Sequence, residues 1–146
     1  MLLSRRSLLA IAAVVDIALH ARPTPVSAKS LAARHNLPPR HLETVLQALV
    51  RHGLLKGVRG PRGGYELARE RRRISLGDIA RAAAGEEAPP EGAPSPLIAT
   101  LVEPTIQAAH AAFLAALDAV SVEDLCRRAE SLQAVRPEPS PPHFDI

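Results

Sequence analysis

The N-terminal stretch of the chain shows the first clear pattern of apolar and polar positions. Its apolar side chains recur at steps of three and four residues: Leu8, Ile11, Val15 and Leu19. This is the spacing of one face of an amphipathic helix, so we predict a first helix packed on a core. An export signal is the alternative, with Arg5 and Arg6 as its charged region. Asp16 ends the apolar run after residues 8–15, too short for a membrane span, which favours the helix.

Two further helical patterns follow, separated by a tight turn. Ser27 is a predicted N-cap for a short helix over residues 28–35, which Asn36 ends in the left-handed conformation. Pro39 opens the next helix, since a proline at the first helical position loses no hydrogen bond. That helix extends to His52, and its apolar residues form one stripe: Leu42, Val45, Leu46 and Leu49. A short helix, a tight turn and a longer helix predict a helix-turn-helix.

A β-hairpin is predicted directly after this helix pair. Residues 54–58 and 65–67 are two short strand candidates, and they flank the loop RGPRGG at residues 59–64. A hairpin that follows a helix-turn-helix is a wing. Its glycines would permit close backbone approach to a partner, and Arg59 and Arg62 would bring positive charge to its tip.

The helical pattern returns in the second half of the chain. Ser75 and Asp78 resemble a capping box that opens a helix ending near Ala84. A longer helix is predicted over residues 97–120, where Pro104 kinks the helix or marks its start. This Ala-rich helix has little of its own chain to pack against, so we expect it to pair with the same helix of a second subunit. The expected dimer contacts are Leu101, Ile106, Phe113 and Leu117.

These patterns divide the chain into four parts. We predict a winged helix-turn-helix domain (1–85), a proline-rich linker (86–96), a dimerisation helix with a short helix after it (97–133), and a disordered tail (134–146). The predicted fold class is therefore mainly α with a small β-hairpin wing.

Composition and charge sharpen this picture. Hydrophobic residues make up 47% of the chain but aromatic residues only 2%, so the core is built from Leu, Val, Ile and Ala, as in mainly helical proteins. Basic residues cluster in residues 51–73, opposed there only by Glu66 and Glu70. Such a field attracts polyanions, most commonly nucleic acid, although a solvated charged surface is the simpler alternative.

The sequence predicts no catalytic residue, metal site or cofactor. Its one cysteine, Cys126, excludes an intrachain disulfide and a zinc site made of cysteines. A lone cysteine of this kind is usually a buried small hydrophobe, with redox sensing as the alternative. The histidines lack metal-ligand spacing, which favours surface or capping roles. The loop RGPRGG lacks the Lys and Ser/Thr of a phosphate-binding loop.

Residues 25–69, PVSAKSLAARHNLPPRHLETVLQALVRHGLLKGVRGPRGGYELAR, resemble the Rrf2 family of bacterial transcription regulators. The most specific piece is the wing segment GLLKGVRGPRGGYELAR at residues 53–69. The resemblance extends over residues 3–84 and, more loosely, over 97–126. It implies a homodimer whose C-terminal helices cross, with each winged domain on one operator half-site.

The resemblance also implies which residues bind DNA. Four residues at the start of the second helix of the helix-turn-helix would read bases, the wing would reach the minor groove, and the start of the first helix would approach the DNA backbone. Two helix-start residues complete the set. The expected DNA-binding residues are Arg5, Arg6, Ser27, Pro39, Arg40, His41, Glu43, Thr44, Arg59, Gly60, Arg62, Gly63 and Gly64.

One departure from the family pattern changes the expected mechanism. Sensor members carry three cysteines between the winged domain and the dimer helix, whereas residues 85–104 here contain neither Cys nor His. Because thiolates are the usual ligands of iron–sulfur clusters, we expect none. The resemblance thus implies a cytoplasmic, cluster-free repressor with no membrane contact that responds to a small molecule or a partner protein. A winged-helix protein adaptor, a redox regulator acting through Cys126 and an exported protein are the alternatives.

Overall fold

The computed structural model describes residues 3–85 and 91–135, and over these it is mainly helical with one antiparallel β-hairpin. The predicted fold class is therefore confirmed. The linker prediction for residues 86–90 and the tail prediction for residues 136–146 lie outside the described residues. In chain order, the elements are α1 (Arg5–His20), α2 (Ala28–Arg34), α3 (Pro39–Arg51), β1 (Leu55–Val58), β2 (Gly64–Leu67), a 3-10 turn (Arg71–Arg73), α4 (Leu76–Ala83), a π-helical turn (Ile98–Val102), α5 (Glu103–Asp118) and α6 (Val122–Val135).

The core lies where α1, α3 and α4 meet, with α6 packed against α1. Its largest buried side chains are aliphatic, as the composition predicts: Ile17, Leu31, Leu42, Leu46, Leu49, Leu54, Leu55, Ile74 and Ile79. The predicted apolar stripe of α3 is confirmed, because all four of its residues are buried. This stripe fixes which face of α3 remains outside.

The predicted core-facing side of α1 is right only in part, because Ile11, Val15 and Leu19 pack at the edge of the core. The fully buried side chains of the helix lie beside them: Ala10, Ala13, Val14 and Ile17. Leu8 is 41% exposed, and the other three predicted residues are half-buried at the edge of the core. Small alanine side chains allow α1 to lie close to the helices against which it packs. The spacing of apolar residues is the same for a face of small side chains and a face of large ones, so spacing alone does not identify the buried face.

Local signals placed the helix ends correctly. The Ser27 hydroxyl accepts the Ser30 N–H at 3.1 Å, and Asn36 has φ 52°, as a left-handed terminator requires. Ser75 and Asp78 form the predicted capping box, at 2.9 and 3.1 Å. Ser121 caps the last helix, which extends to Val135 and is longer than predicted.

The wing is a hairpin with one additional partner segment. β1 and β2 pair in a register that sets Leu55 against Leu67 at the base and Val58 against Gly64 toward the tip. Val26, just before α2, exchanges two backbone hydrogen bonds with Tyr65, at 2.7 and 3.0 Å. The start of the helix-turn-helix is therefore tied to the wing.

The helical path around Pro104 is continuous with α5. A π-helical turn over Ile98–Val102 precedes α5, and the Glu103 N–H donates to the Ile98 carbonyl. Pro104 lies in the first turn of α5, where its missing N–H is tolerated. The C-terminal end of α5 packs on α4, and the helix ends at Asp118.

Candidate nucleic-acid interface

One face of α3 is exposed because the opposite face is buried. The four predicted base-reading residues all lie on the exposed side of its first turns: Arg40, His41, Glu43 and Thr44. Pro39 occupies the first helical position, as predicted, and is exposed as well. The described part of the chain thus presents a row of polar side chains that no intrachain packing covers.

Three helix N-termini share an unusual charge pattern. The first turns of α1, α2 and α3 contain no acidic residue. They carry basic residues instead: Arg5 and Arg6 in α1, Lys29 in α2, and Arg40 in α3. Cations at the positive end of a helix dipole are unfavourable for the helix, whereas an external anion there is favoured. Lys29 is not among the residues predicted from the sequence, although its place two residues after the predicted N-cap was a signal for it.

The two arginines of α1 differ in their surroundings. Arg5 is exposed, but Arg6 is half-buried, and its Nε atom is buried without a hydrogen-bond partner in the described residues. The Ser27 hydroxyl already has a role within the chain as the cap of α2, since it accepts the Ser30 N–H. Of these predicted phosphate contacts, Arg5 is therefore the most accessible to a partner.

Two wing glycines serve the fold of the wing itself. A Cβ atom on Gly64 would overlap the Val26 carbonyl and lie 2.8 Å from the Ser27 nitrogen. A Cβ atom on Gly63 would overlap the Val58 carbonyl. The sequence predicts that these glycines allow close approach of a partner, but the backbone that approaches them belongs to the same chain. Gly60 differs, because it has open space around it and needs glycine for its φ of 118°.

Several basic side chains around the wing pair with acidic residues, which the sequence alone does not reveal. Lys56 pairs with Glu66 across the hairpin at 3.0 Å. Arg71 and Arg72 are also engaged, with Glu123 at 2.7 Å and Glu70 at 2.6 Å, respectively. Arg59 and Arg62 are exposed and have no acidic partner within 4.0 Å among the described residues. These two arginines near the wing tip are therefore available to an anion.

A buried carboxylate that the sequence patterns did not place joins α1 to α2. Asp16 is 7% exposed and accepts hydrogen bonds from Arg34 Nε at 2.9 Å and Arg34 Nη2 at 2.6 Å. His35 Nε2 lies 2.9 Å from the same carboxylate, and His20 Nδ1 lies 3.2 Å away. Burial alone would raise the Asp16 pKa, but the hydrogen bonds and charge of Arg34 outweigh it, and the pKa is lowered.

The two histidines of the Asp16 cluster have roles of the predicted surface or capping kind. His20 is exposed and its Nδ1 lies 2.9 Å from the Asp16 carbonyl in the last turn of α1, and His35 is the C-cap residue of α2. Both side chains also converge on the Asp16 carboxylate, which the sequence did not predict. The cluster fixes the first helix of the helix-turn-helix relative to α1, and so it positions the exposed face of α3.

The predicted dimer residues fall into two groups. Leu101 and Ile106 are 59% and 63% exposed, and the neighbouring Leu97 is 64% exposed. Phe113 is half-buried, with its ring centroid 6.4 Å from that of His110. Leu117 is half-buried and packs against the core of its own chain. The large exposed side chains near the start of α5 form an apolar surface of the kind that marks an interaction site.

The described residues offer little for metal or redox chemistry. Among residues 3–85 and 91–135, no group of three His, Cys, Asp or Glu side chains could hold a metal ion. Cys126 is fully buried, and this burial raises the pKa of its thiol. Over the same ranges, no helix combines the length and apolar character that a membrane crossing requires.

The chain is similar to known transcription regulators along most of its length. The model of the Rrf2 family, described as iron-dependent transcriptional regulator, matches residues 3–128. A putative HTH-type transcriptional regulator of Synechocystis, slr0846, is 36% identical over 143 residues, which cover 94% of this chain and 96% of that one. The solved structure of T. potens IscR has a TM-score of 0.73 and 31% identity, covering 92% and 93% of the two chains. The B. subtilis global cysteine regulator CymR has a TM-score of 0.68 and 29% identity, covering 86% and 96%. The chain therefore belongs to the Rrf2 family and is a transcriptional regulator with a winged-helix fold.

Proposed function

We propose that this regulator is a homodimeric repressor that recognises a specific DNA sequence and works without an iron–sulfur cluster. The observation that carries the proposal is the exposed, acid-free start of α3 together with the wing arginines Arg59 and Arg62, which have no acidic partner among the described residues. A helix and a wing presented in this way fit the major groove and the adjacent minor groove.

Sequence reading is assigned to the first turns of α3. Arg40 has the donors to bind guanine, Glu43 can accept from the amino group of cytosine, and Thr44 can contact a thymine methyl group. His41 lies beside them on the exposed face. Each good base contact is worth roughly 1–3 kcal/mol of discrimination.

Phosphate binding is assigned to the exposed cations around this face. Arg5, Lys29, Arg59 and Arg62 would neutralise phosphates and release counterions, which makes affinity strongly dependent on salt. An adaptor that binds proteins has no need for acid-free helix N-termini, so this charge pattern favours DNA over the adaptor alternative.

A second copy of this chain is the occupant we propose for the exposed apolar surface formed by the start of α5 and the turn before it. Leu97, Leu101 and Ile106 are each about 60% exposed, which is costly for three large aliphatic side chains close together. Two-fold pairing would bury them against their symmetry mates and would place two copies of α3 on one DNA duplex.

The residues of this chain do not fit an iron–sulfur cluster, although the family model is described as iron-dependent. The sequence contains a single cysteine, and residues 85–104 contain neither Cys nor His. Cys126 is fully buried in the core and is held largely protonated by its raised pKa. The same burial argues against redox sensing at Cys126. We therefore propose that a small molecule or a partner protein supplies the signal.

The test is binding of the purified protein along genomic DNA fragments at two salt concentrations. We expect discrete sites with pseudo-two-fold symmetry. Arg59→Ala should weaken every site and lower the slope of log affinity against log salt by about one. Arg40→Ala should instead relax the preference at one base pair of each half-site. The matched control is Arg128→Ala on α6, which is also exposed but distant in sequence from the interface.

Two results would contradict the proposal. Uniform binding along all fragments would remove the sequence-reading role of α3. An Arg128→Ala effect as large as that of Arg59→Ala would show that net charge alone accounts for the binding.

A further inference from the structure

The winged domain and α5 are joined by a carboxylate at the end of α5. Asp118, the last residue of that helix, accepts two hydrogen bonds from Arg81 of α4. Arg81 Nη1 lies 2.6 Å from Oδ1 and Nη2 lies 2.8 Å from Oδ2, the fork geometry of a guanidinium on a carboxylate. The Ser75 hydroxyl also donates to Asp118 Oδ1 at 3.4 Å.

The Asp118 carboxylate occupies space that only a glycine leaves open. Gly77 lies in the first turn of α4, and a Cβ atom there would overlap Asp118 Oδ1 and lie 2.7 Å from its Cγ. The start of α4 is thus shaped around the carboxylate.

Local helix rules disfavour both of these residues. A carboxylate at the C-terminal end of α5 faces the negative end of the helix dipole, where a cation would be favoured. Gly77, in the first turn of α4, is a residue of low helix propensity. Asp118 and Gly77 are each unfavourable for their own helix, and they contact each other. This indicates that the tertiary structure requires both residues at these positions.

Two backbone hydrogen bonds lie beside the Arg81–Asp118 pair, and together these contacts form a fixed joint between the winged domain and the end of α5. The Leu76 N–H donates to the Val120 carbonyl at 2.9 Å, and the Val122 N–H donates to the Ile74 carbonyl at 2.8 Å. These bonds hold the residues after α5, whereas the Arg81–Asp118 pair holds the helix end itself. Together they set the direction in which α5 leaves the winged domain.

We infer that Asp118, Arg81 and Gly77 are positioning residues that set the angle of α5 and thereby make DNA binding selective for the spacing of operator half-sites. This inference rests on the proposed dimer, because the two recognition helices are connected only through the paired α5 helices. Both side chains of the pair are more than 40% exposed, so the pair contributes little to the free energy of unfolding. The property to measure is instead its effect on the direction of α5 relative to the winged domain.

The experiment uses the full-length protein and the palindromic site found in the genomic binding assay. One or two base pairs are inserted or removed at the centre of the site, and affinity is measured for each spacing. Each added base pair moves one half-site by about 3.4 Å and rotates it around the duplex, so a rigid dimer has a sharp optimum. Asp118→Asn, Arg81→Gln and Gly77→Ala are compared with the wild type. Arg127→Gln is the control, since it removes an exposed ion pair with Glu123 that lies within α6.

We expect the three joint variants to flatten the spacing profile, lowering the preference for the natural spacing by roughly two- to fivefold. Affinity for a single half-site and the dimer content should stay the same. The double variant Arg81→Gln/Asp118→Asn should flatten the profile no further than either single variant, because both remove one contact. Gly77→Ala tests the same joint by steric displacement without a change of charge.

The inference is overturned if all three variants keep the wild-type profile, or if Arg127→Gln flattens it equally. A wild-type protein with no preferred spacing would also overturn it, and in that case the failure lies in the proposed paired half-sites. A sharp wild-type optimum that the joint variants retain leaves the proposed function intact and rejects the positioning role alone.

Discussion

Replacing Gly64 by alanine separates a folding role of the wing glycines from a DNA-contacting role. The new methyl group would overlap the Val26 carbonyl and lie 2.8 Å from the Ser27 nitrogen, and both obstacles are backbone that cannot rotate away. The β-bridge between Val26 and Tyr65 must therefore open, with the loss of its two hydrogen bonds.

The expected cost follows from these two effects. Each backbone hydrogen bond contributes about 1 kcal/mol net. Forcing a methyl group into a filled space costs roughly 1–3 kcal/mol. Gly64→Ala should thus lower the free energy of unfolding by roughly 3–5 kcal/mol, a large fraction of the stability of a small domain.

Urea unfolding followed by circular dichroism measures this change. Gly57→Ala is the matched control, because it lies in the same hairpin and a methyl group added there would meet no atom within 4 Å. We expect its stability to change by no more than about 0.5 kcal/mol. If Gly64→Ala kept wild-type stability and lost DNA binding, the steric argument would be refuted and the glycine would serve approach to DNA, as the sequence alone suggested.

Three other substitutions test the Asp16 cluster, the α5 surface and the lone cysteine. Asp16→Asn should lower the free energy of unfolding at pH 7 by about 2 kcal/mol, because it leaves Arg34 without its buried partner and Arg34 is partly exposed. Since the Asp16 pKa is lowered by folding, its contribution is present above the ordinary carboxyl pKa of about 3.9 and disappears as pH falls through the folded value. The stability difference between wild type and variant should therefore shrink as pH falls below about 3.9, and a difference that stays constant would contradict this. Ile106→Glu should convert the dimer to monomer in sedimentation experiments, whereas Leu132→Glu, at a site of similar exposure on α6, should not. Cys126→Ala should bind DNA normally and leave the response to peroxide unchanged, and a peroxide-sensitive wild type with an insensitive variant would reinstate redox sensing.

The sequence by itself determined the features that depend on neighbours a few residues apart. Helix starts at Ser27 and Ser75, the left-handed turn at Asn36 and the buried stripe of α3 all follow from caps, turn chemistry and helical period. The exposed positions of the predicted base-reading residues follow as well, because burying one face of a helix leaves the other outside. The resemblance to the Rrf2 family, most specific in the wing segment, is confirmed by a family match over residues 3–128.

Only the tertiary structure decided which distant residues meet. Asp16 and Arg34 are separated by 18 residues, and Arg81 and Asp118 by 37, so no local pattern connects them. The wing glycine Gly64 looked like a contact for DNA because its neighbour in space, Val26, is far away in the chain. Likewise, helical period does not reveal that Ala10, Ala13, Val14 and Ile17 are the fully buried residues of α1, since that choice depends on the shape of the surface against which the helix packs. Helix propensity and helical period depend on residues within one or two turns of each other. Ion pairs and close packing instead join residues that are distant in the chain and meet only in the folded protein.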